Sequence, residues 1–564
     1  MVYCGKPSPN CGNCRARKRR CDKAVPSCGQ CVRMGQVCPG YRNPTDLLFR
    51  NETTRIVQRV RTSDPTTPPT STSTARDDSP TPSPPTHQVE WTRNSHSPPT
   101  STPFQMPTNH INTYSPAAPP AGLAHLGLNY FAANFAYIGP QSGASLVYLR
   151  YAVDELHSRS RGVTVMAPAI NAVGLAALAN ITGNRMIMRS ARSYYVTALQ
   201  TTNEALRDPK RFKDDATIVS ILLLGFFESM TCIGSDSFQA WARHIDGATS
   251  LLLQRGISQF ETQVGQHIFQ EVCSYLLTSC SRLRQHFPES ILNLRKQASE
   301  HFSADEPSWM LSTLYIEIIG LFNKVDVSRT DSFLDDTWEA YLKRAMELDD
   351  ALVALFHSLS ETWNYTVHVD ASADPDVAYK GRWHDFSDMW VGRYLNSMRS
   401  CRMFIGLTIH SLIHREWAIR EPEKEINGML YGALSASTTQ NMTMMRDDML
   451  ASTALMMGYV RNGQLYSTSS LEIPSGRARG AGTDKLSMAM GCYFIFWHLY
   501  VAGSLSINPP EVRRWAAARL RVIRRIAGIQ KTTILAQAID AGITIGFHLT
   551  DERLDDVCSP EASH

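Results

Sequence analysis

At 564 residues, with 43 % hydrophobic and 19 % charged side chains, the chain has the composition of a soluble globular protein and room for three or four domains. Its net charge of +4 averages two unlike parts: residues 1–61 hold thirteen Lys/Arg against three Asp/Glu, a net +10, and the remainder holds 43 against 49, a net −6. That asymmetry excludes an evenly charged surface and directs the basic head toward a polyanion.

The cysteines are just as uneven, with seven of thirteen inside the first 38 residues. The start, Met1-Val2-Tyr3-Cys4-Gly5-Lys6-Pro7, shows no apolar stretch of a secretory signal, so metal ligation is expected rather than disulfides. Cys11, Cys14, Cys21, Cys28, Cys31 and Cys38 repeat Cys-x2-Cys-x6-Cys twice, the second copy displaced by seventeen residues. Structural zinc is four-coordinate and tetrahedral. One ion would strand two of six thiolates, two separate all-cysteine sites would need eight, and the first histidine in the chain is His87. The count closes if two zinc ions share two thiolates, and the doubling makes Cys11 and Cys28, the first cysteine of each copy, the natural bridges. Val25, Val32, Met34 and Val37 are the only aliphatic candidates here. Metal must therefore supply the folding free energy, about 10–16 kcal/mol per structural zinc in comparable peptides. Six thiolates on two Zn²⁺ leave −2 on the cluster, so the head keeps a charge of about +8.

Between Cys14 and Cys21 lie Arg15, Arg17, Lys18, Arg19 and Arg20, with Lys23 just beyond. Charge runs are commonly solvated faces or nuclear-import signals, but these cations are locked between metal ligands, which suits DNA binding. Arg and Lys match the O6 and N7 acceptors of guanine in the major groove, so a GC-rich target is expected. The stretch Cys11–Cys38, with its basic run and Pro26-Ser27-Cys28, resembles the fungal zinc binuclear cluster family of transcription factors. The resemblance implies that Cys11 and Cys28 bridge the ions and that the first short helix reads a CGG triplet of double-stranded DNA through Arg17 and Lys18. Arg15, Arg19, Arg20 and Lys23 are then expected on phosphates, which position the module without specifying sequence. A nucleus-localised regulator follows from the same resemblance.

Behind the cysteines, Asp46–Arg61 offers Leu48, Phe49, Ile56 and Val60, barely two turns of apolar matching and short of the three to four heptads a zipper needs. Either the head binds as a monomer or the body supplies a homodimer contact. Residues 62–120 hold fourteen of the thirty prolines among Ser and Thr and are expected to be a disordered linker spanning roughly 40–50 Å. Its Ser-Pro and Thr-Pro pairs read first as spacer.

Residues 121–550 read as a large all-helical domain. Tyr195, Leu199, Thr202 and Leu206 share one helical face, and Asp214-Asp215 caps a helix over Ala216–Met230 whose Ile218–Leu224 run implies burial on most sides. Polar gaps near 362–385 and 461–483 read as surface loops, and helices are expected over 484–507, 510–528 and 531–548. The uncharged stretch Leu486–Pro510 is long enough to span a bilayer but carries His498, Gly491, Gly503 and several serines, so a buried helix is expected and no membrane partner. The arginines 513, 514, 519, 521, 524 and 525 read as a solvated face opposite Val512, Trp515, Val522 and Ile526. Residues 551–564 form an acidic tail, a frayed terminus or a recruiter of the transcription machinery.

Trp241-x2-His244-x2-Gly247-Ala248-x2-Leu251-Leu252-x2-Arg255-Gly256, with Asp215-Ala216-Thr217 and Glu228 before it, is similar to the middle-homology regulatory domain that accompanies many fungal clusters. Gly247 suggests close helix packing, Gly256 a C-terminal cap and His244 a packed core histidine. No nucleophile–base spacing and no phosphate-cradling glycine loop is apparent, so no catalytic residue is assigned. The expectation is thus a mainly α protein: a two-zinc six-cysteine module over 1–61, a linker over 62–120, a regulatory domain over 121–550 and a tail over 551–564. Its expected function is sequence-specific regulation of RNA polymerase II transcription of a metabolic gene set, such as one for a secondary metabolite, with a small-molecule effector as one means of control. The competing reading is a helical enzyme or ligand-binding protein tethered to DNA by the cluster.

Overall fold

The computed structural model describes residues 10–17, 19–22, 24, 27–39, 120–136, 147–158, 165–231, 236–303, 306–325, 337–413, 425–426, 429–461, 463–466 and 488–545. The proposed linker up to residue 119, the apolar residues of 46–61 and the acidic tail lie outside them. The fold is mainly α, with seventeen α-helices among the described residues. Two belong to the cysteine module: α1 (Gly12–Ala16) and α2 (Gly29–Arg33).

The body opens with α3 (Pro120–Phe135), α4 (Val147–Ser158), α5 (Ala167–Thr182) and α6 (Arg185–Arg207). The α5 helix, packed between α3 and α6, is buried on almost every side, as its Ala-rich sequence permits. Its backbone touches that of α3. A Cβ on Gly174 would stand 2.0 Å from the Gly127 carbonyl oxygen, so neither helix tolerates a side chain at the crossing. Asn184 then starts α6 by accepting the N–H groups of Met186 at 2.9 Å and Ile187 at 3.2 Å, a side-chain N-cap. On α6, Tyr195, Thr202 and Leu206 are buried and Leu199 is half-buried, the expected face.

The central pair is α7 (Asp215–Thr231) and α8 (Asp236–Arg255). Residues 217–230 of α7 are buried without interruption. The motif residues of α8 prove to be its packing surface. Trp241 and His244 lie 3.4 Å from where a Cβ on Gly225 of α7 would sit, and Ala248, Leu251 and Leu252 are fully buried. Arg255 closes the pair through an ion pair at 2.7 Å to Asp215, and Gly256 ends the helix at φ 64°. Both glycine readings hold, since Gly247 is buried.

The chain continues through α9 (Gln263–Leu283), α10 (Glu289–Ala298), α11 (Pro307–Lys324), α12 (Thr337–Ser358), α13 (Met389–Ile413), α14 (Tyr431–Met456), α15 (Met488–Gly503), α16 (Pro510–Ala527) and α17 (Lys531–Asp540). One hydrophobic cluster runs through the body from Phe131 to Ile545. The stretch expected as a surface loop near 362–385 instead contains an antiparallel hairpin, β1 (Tyr365–Val369) with β2 (Arg382–Phe386), in the register Tyr365↔Phe386. Its buried partners are polar and aromatic, which hides it from hydrophobic patterning: His384 is fully buried, and Trp383 and Phe386 nearly so. Two shorter hairpins follow, β3 (Glu425–Ile426) with β4 (Met429–Leu430), and β5 (Val460–Arg461) with β6 (Gln464–Leu465). The second starts where the other polar gap was placed.

No described helix is long and apolar enough to cross a membrane. The uncharged stretch instead supplies α15, whose His498 and Tyr500 are buried. On α16, Arg514, Arg521, Arg524 and Arg525 are exposed over buried Val512 and Val522, as expected. Arg519 differs. It points inward and pairs at 2.8 Å with Asp376, which the arginine pattern did not distinguish.

Candidate zinc centre and nucleic-acid interface

Each copy of the cysteine repeat folds the same way locally. Cys11 and Cys14 bracket the start of α1, and Cys28 and Cys31 bracket the start of α2. Cys28 caps α2, its Sγ accepting the Cys31 N–H at 3.4 Å. Cys11, Cys14, Cys28 and Cys31 are buried and form the module's whole core, with Cys21 and Cys38 packed on it. Val32, Met34 and Val37 are 64 %, 46 % and 91 % exposed, so apolar burial contributes almost nothing here.

The sulfurs gather into two tetrads, Cys11/Cys14/Cys21/Cys28 and Cys11/Cys28/Cys31/Cys38, each with its atoms within 4.8 Å of one another. Cys11 and Cys28 belong to both. Sulfurs at the corners of a tetrahedron with zinc–sulfur bonds of about 2.3 Å stand about 3.8 Å apart. The observed separations are 3.6 Å for Cys11–Cys28, 3.7 Å for Cys11–Cys31 and 3.7 Å for Cys14–Cys28. The donor set therefore fits two zinc ions in both count and spacing. Gathering thiols this closely also makes each harder to ionise without a cation. Burial, with the Cys11 thiol next in effect, pushes the Cys14 thiol up to about 12. At Cys28 the Cys31 N–H draws the pKa down, but burial and the surrounding thiols outweigh it and the net direction is upward. Zinc reverses this balance, since it binds the thiolate and releases the proton.

Two side chains that spacing did not single out join the halves. Asp22 accepts the Gly29 N–H with both carboxylate oxygens, at 3.1 and 3.0 Å, and so ties the loop between the copies to the start of α2. A Cβ on Gly29 would meet Asp22 Oδ2 at 2.6 Å, which is why glycine stands there. Asn13, on α1, donates to the Val37 carbonyl at 3.0 Å and to Cys31 Sγ at 3.6 Å. The only sequence cue was that both are short polar residues next to a ligand.

Of the six basic candidates, Arg17, Arg19 and Arg20 are exposed immediately after α1. The Arg19 N–H bonds to the Cys14 carbonyl at 2.9 Å and its guanidinium reaches Met34 Sδ at 3.7 Å, so the run leaves α1 anchored to the module. Arg15 lies on α1, while Lys18, Lys23 and Pro26 lie outside the described residues. In the body, His244 is packed against α7, and burial lowers its pKa. Cys273, Cys280, Cys401 and Cys492 are buried, and among the described residues none joins a metal-binding group.

Comparison with protein families gives two matches. Residues 10–47 match the fungal Zn(2)-Cys(6) binuclear cluster domain, and residues 128–360 match the fungal specific transcription factor domain. Nothing matches among curated proteins or solved structures. The molecule carries a two-zinc cluster domain at its N-terminus and a fungal transcription factor domain downstream, as the sequence resemblance implied. It is a fungal DNA-binding transcription regulator.

Proposed function

We propose that this regulator is a nuclear, sequence-specific factor that recognises CGG-containing promoter sites and controls RNA polymerase II transcription of a metabolic gene set, such as one for a secondary metabolite. The observation that carries it is the pair of sulfur tetrads sharing Cys11 and Cys28 beneath a helix that releases a basic run into solvent. In this reading Cys11, Cys14, Cys21, Cys28, Cys31 and Cys38 hold the two ions, which supply rigidity and no chemistry of bond breaking. Arg17 and Lys18 contact guanines, and Arg15, Arg19, Arg20 and Lys23 contact phosphates. The functional units are 1–61, 62–120, 121–550 and 551–564. The body provides regulation through a partner or small effector and any homodimer contact, since the segment after the cluster lacks a full zipper.

Affinity for a CGG duplex and for a scrambled duplex tests the base contacts. Arg17→Ala and Lys18→Ala are each expected to weaken CGG binding by about 1–3 kcal/mol and scrambled binding far less. Equal losses on both duplexes would reassign these residues to phosphates. Genome-wide occupancy combined with transcript changes after deletion tests the gene set.

A further inference from the structure

The cysteine repeat is doubled, but the hydrogen bonds around it are not, and the imbalance falls on one tetrad. Asn13 belongs to the first copy, between Cys11 and Cys14, yet its amide serves the second. The Val37 carbonyl can only accept, so the Asn13 atom 3.0 Å from it is the amide nitrogen. The same nitrogen stands 3.6 Å from Cys31 Sγ and donates its other proton there. One side chain thus satisfies a thiol of the Cys31/Cys38 tetrad and holds Val37, the residue before Cys38. Seventeen residues on, the position equivalent to Asn13 is Gln30. Among the described residues Gln30 makes no matching bond to Cys14, and the Cys14 N–H makes no bond to Cys11 Sγ to match the one from Cys31 to Cys28.

Four thiolates about one divalent ion leave negative charge on sulfur, and an N–H aimed at sulfur stabilises it as a charge-assisted bond. Groups of this kind around metal ligands typically change metal affinity 10–100-fold. Resting on the assignment of the six cysteines made above, we infer that Asn13 is a positioning residue that makes the two metal sites unequal: the zinc held by Cys31 and Cys38 is the more tightly retained, and the zinc held by Cys14 and Cys21 leaves first. The head then has a half-loaded state in which the ligands flanking the basic run have let go while the second copy remains folded.

The test is zinc release from the full-length protein to the chromogenic chelator 4-(2-pyridylazo)resorcinol. The wild type is expected to release two zincs in two phases. Asn13→Ala is expected to hold two zincs and to speed the slow phase about 10–100-fold while leaving the fast phase unchanged, and Gln30→Ala to alter neither. Retention of only one zinc by Asn13→Ala would equally support the inference. A single phase in the wild type, equal acceleration of both phases, loss of both metals together, or a Gln30→Ala effect as large as that of Asn13→Ala overturns it. A wild-type content other than two zincs would instead strike the assignment of the centre itself. In a Cys38→Ser background the remaining zinc is expected to be indifferent to Asn13→Ala, which places the effect in the Cys31/Cys38 tetrad.

Discussion

The head and the body solve the problem of folding by opposite means. In the head the only core is sulfur, and the aliphatic residues stand in water. In the body one apolar cluster extends from Phe131 to Ile545, well past the 128–360 span of the matched domain, and cysteine is simply another small buried side chain. Cys14 and Cys273 show what the difference does to one functional group. Burial pushes both thiols up to about 12, but Cys14 lies among five others and Cys273 does not. The first can be ionised by a metal; the second remains an inert thiol in a packed interior. The head is therefore a structure switched on by a ligand, and the body a structure fixed by its sequence.

Removing zinc is the largest perturbation this contrast predicts. The head loses about 10–16 kcal/mol per ion and with it all sequence-selective DNA binding, while the body keeps its helical circular dichroism and its thermal midpoint. Unfolding of the body on chelation would break the comparison. Next comes loss of a shared ligand. Cys28→Ser takes a sulfur from both tetrads and is expected to abolish binding of both zincs, whereas Cys38→Ser takes one from a single tetrad and leaves about one zinc per chain by metal analysis. The reverse experiment acts on the body. Leu223 is fully buried on α7, so Leu223→Ala is expected to cost about 2–5 kcal/mol in urea unfolding while zinc content and DNA affinity stay as in the wild type.

Legibility from sequence divides along the same line. The cluster was legible because metal coordination is arithmetic on sequence spacing: six sulfurs, two tetrahedra, two shared corners. The helices were legible where burial is apolar and periodic, as at 215–231. The hairpin at 365–386 was not, because it buries His384 and Trp383 rather than a Val/Ile alternation, and its partners lie on α13 and α14. Asn13 was equally silent, since its role depends on Val37 and Cys31 being brought alongside it by the metal-binding fold. Local periodicity and spacing report what a segment does alone; these residues act only through segments distant in sequence.

Those polar interiors give the smallest and most specific prediction. His498 contacts the Ser400 hydroxyl at 2.9 Å within the core, and burial, reinforced by Arg393 and Arg399, lowers its pKa to about 3. His384 is lowered to about 2 by burial and by Arg399 and Arg382; Asp448, 3.7 Å from its Nε2, is shared with both arginines and does not offset them. In the unfolded chain each imidazole titrates near about 6.5. Protons therefore bind the unfolded state first, and the stability present above about pH 6.5 falls as pH drops toward the folded values. One unit below the unfolded pKa, at about pH 5.5, each histidine removes about 1.4 kcal/mol from the body. His244 and His267, also lowered by burial, act in the same direction. Thermal unfolding of the body at about pH 7.5 and about pH 5.5 measures the loss, and His384→Gln and His498→Gln should each flatten it, the double variant more than either. A double variant as acid-sensitive as the wild type would mean that the buried imidazoles do not control the body's response to pH, and that its acid lability resides in surface carboxylates instead.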